Sequence, residues 1–300
     1  MENEIKTKKN NSLAASIVVA ALILAGAWIY TNKTGVTAGT DDPTNESGVA
    51  LAAEVLPAAG VTLPVRWGDL GSKLVESGVI DSEKIKALYA NRPSEKDELD
   101  ALLLGTSKGR LKITSANAGV LLNLLWALGL GNKNAILETG PMSDPQYGGA
   151  GNFASTGGWS LARGDAMDHY SQHALMTLTP AQQQMVERVS KNIYRPCCGN
   201  STHFPDCNHG LAMLGLLQLM AVQGVSEAEM YRAALQVNAY WFPDTYLTIA
   251  TYMQNKGVDW SGVKPEEMLG YDYSSGAGFA KIASQVTVSG QQKGGGGCSV

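Results

Sequence analysis

The sequence has little charge and no concentrated field of either sign. Charged residues make up 17% of its 300 positions, and the net charge is −4. After Lys6, Lys8 and Lys9 the basic residues are scattered, so no surface for a nucleic-acid backbone is expected. Several catalytic signatures are missing too. There is no Gly-x-Ser-x-Gly, which removes the nucleophile elbow of one large hydrolase class. The Gly-rich pieces contain neither Gly-x-Gly-x-x-Gly after a strand nor a phosphate loop with its Lys, so nucleotide binding has no support. Cys-x-x-Cys is absent, and so is the strand–helix alternation of a thioredoxin-like unit. No pair of carboxylates is marked by its context for acid–base work, and no residue is assigned a catalytic role.

An apolar content of 44% nevertheless belongs to a folded chain. The N-terminus comes first. Residues 1–12 carry the three lysines and precede an uncharged apolar run, residues 13–30. At about 1.5 Å per residue that run spans about 27 Å, enough for a bilayer core. The basic flank should stay cytoplasmic, which sends the rest across the membrane. The expectation is a membrane anchor through 13–30 with an extracytoplasmic domain, periplasmic or at the cell surface. The rival is a cleaved signal peptide, with Leu13 to Leu24 as its apolar core and Ala25-Gly26-Ala27 as the cleavage site. A buried soluble helix is the third reading. Residues 31–50 are polar and read as a flexible linker.

The remainder, 51–290, reads as mainly α, an irregular bundle of about eight short helices. Val61 to Trp67 alternates, but Pro64 argues against a central strand, so an extended entry segment is expected. Short helices follow over 69–77 and 82–90, the first ended by Gly78 and the second capped by Asp81 or Ser82. Pro93-Ser94 opens a third. Residues 114–128 are apolar on nearly every face and predict a buried helix. Residues 129–164 lose periodicity, yet Phe153, Trp159 and Leu161 suggest an ordered loop packed on the core. Helices are expected over 165–177, from Thr179-Pro180 to about Tyr194, over 209–223, from the capping box Ser226-x-x-Glu229 to Tyr240, and over 243–254. Residues 291–300 form a Gly-rich tail with Cys298.

The chemistry concentrates between Arg195 and Gly210, which hold three of the four cysteines and two of the four histidines. Cys197, Cys198, Cys207 and His209 supply three thiolates and an imidazole, a tetrahedral zinc set. Adjacent cysteines are awkward for chelating one ion, which weakens the motif. Copper is the second choice, because Cys207, His209 and Met213 offer soft donors; an iron–sulfur cluster is third. His169 and His173, at i and i+4 on the expected helix, are additional candidate ligands on one face. The competing readings are a metal-free exported interaction module and a thiol–disulfide redox protein. In the first, Cys197 or Cys198 pairs with Cys207 in a disulfide-stapled loop, leaving the other free or paired with Cys298.

The order Thr179-Pro180, Cys197-Cys198, Cys207, Ser226-x-x-Glu229 resembles small exported cysteine-motif proteins of the cytochrome c biogenesis type. The adjacent cysteines depart from that group's Cys-x-x-Cys, so its thiol chemistry is not carried over to these residues.

Overall fold

Two runs that are apolar on nearly every face form the two central helices of the protein. In the computed structural model, which describes residues 43–105 and 108–286, they are α5 (Ala118–Gly131) and α8 (Asn208–Val222). Nearly every residue of both is buried. Glycine permits their close approach. A Cβ at Gly215 would run into the Leu125 carbonyl and stand 2.8 Å from the Gly129 nitrogen, and one at Gly129 would overlap Leu211. Backbones this close leave the flanking Leu side chains to interlock on either side of the crossing.

The other elements wrap this pair. They are α1 (Pro43–Val55), β1 (Val61–Arg66), α2 (Leu70–Ser77), α3 (Ser82–Leu88), α4 (Pro93–Leu103), β2 (Arg110–Ile113), α6 (Ala135–Thr139), α7 (Pro180–Asn192), α9 (Glu227–Trp241), α10 (Pro243–Asn255), α11 (Pro265–Met268), α12 (Tyr271–Ser274) and α13 (Gly276–Ala283). The fold is mainly helical, as expected, with thirteen α-helices among the described residues rather than about eight. By its internal contacts the chain divides into two units, residues 1–48 and 49–300. The expected anchor at 13–30, the tail at 291–300 and Cys298 lie outside the described residues, as does most of the expected linker. The part of that linker from Pro43 onward is helical instead. No helix among the described residues is long and apolar enough to cross a membrane.

The local signals act as their chemistry requires. Gly78 ends α2 in the left-handed conformation, and Asp81 caps α3 by accepting from Glu83 N and Lys84 N. Thr179 with Gln182, and Ser226 with Glu229, form reciprocal capping boxes at α7 and α9. Two further expectations are corrected. Val61–Arg66 is a strand, paired antiparallel with β2, rather than an unpaired entry segment. Pro64 is accommodated because the pairing is irregular between Thr62 and Arg66 and the sheet has only two strands.

Residues 165–177 are not a helix. Only Ala166–Asp168 makes a 3-10 turn, and Ser171 adopts a positive φ of 56°. The reason lies in α5. Its last carbonyls, at Leu130 and Gly131, have no partner within the helix. Ser171 N and His173 N donate to them at 2.8 and 2.9 Å. Those donors are therefore spent on capping a neighbour instead of on a helix of their own.

Candidate metal centre

The cysteine loop is fastened at both ends before its chemistry begins. Tyr194 N donates to Leu269 O at 2.8 Å, and Asn238 Nδ2 of α9 donates to Tyr194 O at 3.1 Å. Thr202 N closes the loop onto Ile193 O at 2.8 Å, and Gly276 N holds Cys198 O at 2.9 Å. The aperiodic segment 129–164 supplies one wall. Tyr147 and Phe153 pack edge-on against Phe204 of the loop, and Ser155 N donates to Asp206 O. The segment is ordered and packed, as its aromatics suggested.

Arg195 stands at the centre and is 1% exposed. Its guanidinium donates through Nε to Cys207 Sγ at 2.9 Å, through Nη1 to Asn200 O at 3.1 Å, and through Nη2 to Phe204 O at 3.1 Å and Asp206 Oδ1 at 2.6 Å. One side chain thereby organises the whole loop. Asn200 Nδ2 steadies the other Asp206 oxygen at 2.8 Å. Gly210 makes room for the planar group: a Cβ there would overlap the guanidinium itself.

Cys207 is the N-cap residue of α8, and Cys197 Sγ lies 3.4 Å from its sulfur. Hydrogen bonds from the Cys197 and Cys198 thiols hold Cys207 well below the usual thiol range, against the opposing effect of burial and with help from Arg195. The helix N-terminus also favours a negative charge there. Cys197 is raised by its hydrogen bonds to Cys198 and Cys207 and then by burial. Cys197 Sγ faces the Cys207 sulfur, while Cys198 Sγ lies 3.6 Å from Asp206 Oδ1 and 3.8 Å from Asn200 O. Burial pulls the Arg195 guanidinium down, and the charges of Cys207, Cys198 and Asp206 more than reverse this.

His209, in the first turn of α8, completes the group. Phe242 and Trp241 pack on its ring with centroids 4.4 and 5.6 Å away. Its Nδ1 is buried without a hydrogen-bond partner. Ligand atoms of Cys197, Cys207 and His209 all lie within 4.8 Å of one another, and so do those of Cys198, Asp206 and Cys207. Cys207 belongs to both sets. No two of the described cysteines are at disulfide-bonding distance, and all three are free.

The histidine pair is elsewhere engaged. His169 Nδ1 and His173 Nε2 are 3.0 Å apart, with stacked rings, although the segment is not helical. His169 Nε2 lies 2.8 Å from Arg163 O, which places a proton there and makes Nδ1 the acceptor for His173. Burial first, and His169 second, lower the pKa of His173. Neither histidine belongs to a three-ligand group among the described residues. Met213 is core, 1% exposed.

Asn200 and Asp206 are expected from the sequence only to let the loop fold back, and Arg195 and Gly210 only bound the stretch; the part all four play around the sulfurs is not anticipated. An arginine next to a cysteine cluster, with glycine directly after the last histidine, is the signal that was there to be used. Set against family models, curated proteins and solved structures, the chain matches none of them, so the chemistry of this loop rests on its own geometry.

Proposed function

We propose that this chain binds a soft metal ion in the 197–209 loop, zinc ahead of copper. The observation that carries this reading is the convergence of Cys197, Cys207 and His209 within 4.8 Å, with a buried His209 nitrogen that nothing else satisfies. Tetrahedral zinc at about 2.3 Å from sulfur and about 2.0 Å from nitrogen needs ligand atoms roughly 3.5–4 Å apart, a small adjustment from here. Cys198, which shares Cys207 as a neighbour, supplies the fourth ligand. Three thiolates and a neutral imidazole on a divalent ion leave one negative charge, and Arg195 lies against Cys207 to meet it. Donors of this kind to a coordinating sulfur orient the ligand and tune the site.

The apolar run 13–30, behind Lys6, Lys8 and Lys9, supports placing this unit on a membrane anchor with the loop on the extracytoplasmic side. The loop then holds or hands on its ion outside the cytoplasm.

A thiol–disulfide role has one observation in its favour, the Cys197 and Cys207 sulfurs 3.4 Å apart. It ranks second because Cys207 is 9% exposed and the loop gives a partner thiol little approach.

The test is a zinc titration of the reduced full-length chain, followed by thermal unfolding. An ion that binds the folded state adds about 2.7 kcal/mol at a hundredfold excess over its dissociation constant. The melting temperature should climb with zinc and return on chelation. A melting temperature indifferent to both zinc and copper(I) rejects the metal reading; a response to copper(I) alone reassigns the ion.

A further inference from the structure

Two sulfurs of the cysteine loop are placed for a second use. Cys197 Sγ and Cys207 Sγ stand 3.4 Å apart, in contact, and both residues are free. A disulfide needs about 2.05 Å between its sulfurs, so about 1.4 Å of closure would join them. Cys198 does not compete on equal terms. Its Sγ faces oxygen atoms, Asn200 O at 3.8 Å and Asp206 Oδ1 at 3.6 Å, and Gly276 N fixes its carbonyl. A bridge between the adjacent Cys197 and Cys198 would close a strained small ring.

The frame of the loop would outlast a Cys197–Cys207 bond. Of the four acceptors that Arg195 reaches, three are oxygens, of Asn200, Phe204 and Asp206, and oxidation of sulfur leaves them as they are. Thr202 N would keep its bond to Ile193 O. The metal set would not outlast it. Cys197 and Cys207 are two of the three residues that converge with His209, and the thiolate is the form of sulfur that holds a metal. Access differs between the two. Cys207 is buried and Cys197 is half-buried beside it, so an oxidant meets Cys197 first and must be small.

We propose that the metal site is redox-gated: a hydroperoxide joins Cys197 to Cys207, and the disulfide expels the ion. The gate rests on the metal reading above. It is internal to the loop and needs no thiol from another protein. With hydrogen peroxide, the Cys197 sulfur first attacks a peroxide oxygen. The O–O bond breaks, one water leaves, and a sulfenic acid forms. The Cys207 sulfur then attacks Cys197 Sγ, the S–O bond breaks, and a second water leaves. Two thiols and one hydrogen peroxide become one disulfide and two waters. The sulfurs lose two electrons, which the peroxide oxygens gain. Where both sulfurs start as thiolates on the ion, the two protons come from solvent. A dithiol reductant reverses the bond and readmits the ion.

The test starts from the reduced full-length chain loaded with zinc. Hydrogen peroxide is added, released zinc is followed with a chromogenic chelator too weak to strip the untreated protein, and thiols are counted. One zinc should leave as two thiols are lost, with a 197–207 cross-link found by peptide mass. The oxidised chain should bind zinc more than about 100-fold more weakly, beyond the range of changes made behind the ligands. Dithiothreitol should restore binding. Cys198→Ser should still release its zinc on peroxide. The proposal is overturned by zinc that stays bound through the treatment, by a cross-link through Cys198, or by release that dithiothreitol does not reverse, the mark of sulfinic acid. Each of these results leaves the metal reading standing. A chain that takes up no zinc before the oxidant is added fails the zinc reading itself, and the gate with it.

Discussion

Arg195→Met is expected to destabilise the folded chain by about 3–5 kcal/mol, the usual cost of removing one partner from a buried ion pair. Methionine fills much of the volume but donates nothing. The substitution leaves the Cys207 sulfur, one Asp206 oxygen and the carbonyls of Asn200 and Phe204 without the donors they now have. Each is close to an arginine that is 1% exposed, so water does not readily replace it. Arg195→Lys should recover only part of the loss. Lysine restores the charge but not the planar fork that reaches four acceptors at once. Urea unfolding in excess chelator measures the effect apart from any bound ion. A loss below about 1 kcal/mol, the range of exposed pairs, would mean that Arg195 does not organise the loop.

Cys207→Ser should abolish stoichiometric metal binding, weakening affinity by more than about 100-fold, since even changes behind the ligands cost about 10–100-fold. Cys207 is the one residue shared by both three-ligand groups, so its loss breaks both. The fold should survive. Position 207 is the N-cap of α8 and makes no side-chain cap at present, and serine is a favoured residue there. The hydroxyl also leaves Arg195 Nε an acceptor. Cys198→Ser should cost less, because Cys197, Cys207 and His209 remain together. The zinc-induced rise in melting temperature reads all three proteins on one scale. An undiminished rise in Cys207→Ser would remove Cys207 from the site.

The helices were legible in the sequence wherever a local interaction starts or stops them. Thr179-Pro180, Ser226-x-x-Glu229, Asp81 and Gly78 all act within one turn of chain, and each marks the boundary it predicts. The apolar runs of α5 and α8 announce burial for the same local reason. Failures came where a distant group decides. The expected helix over 165–177 is undone by the orphan carbonyls of α5, some forty residues earlier in the chain. The strand at Val61–Arg66 depends on β2, which no pattern joins to it. In the candidate site, the cysteines and His209 were readable as donors because residue type alone marks them. The place of Arg195 was not, because its role arises only once residues 200, 204, 206 and 207 fold around it. Gly210 follows from the same geometry: its value lies in the space above its own Cα. The His169/His173 pair shows the converse. Its proximity was anticipated for a helical reason that does not hold, and arises instead from a turn around Ser171.

The most direct measurement is the metal content of the full-length chain, purified under reducing conditions without chelator, with reactive thiols counted before and after chelation. The account predicts one zinc per chain, with Cys197, Cys198 and Cys207 protected while it is bound and reactive once it is removed. A chain that carries no ion, and whose loop thiols react equally with or without chelator or are already joined in a disulfide, would contradict it.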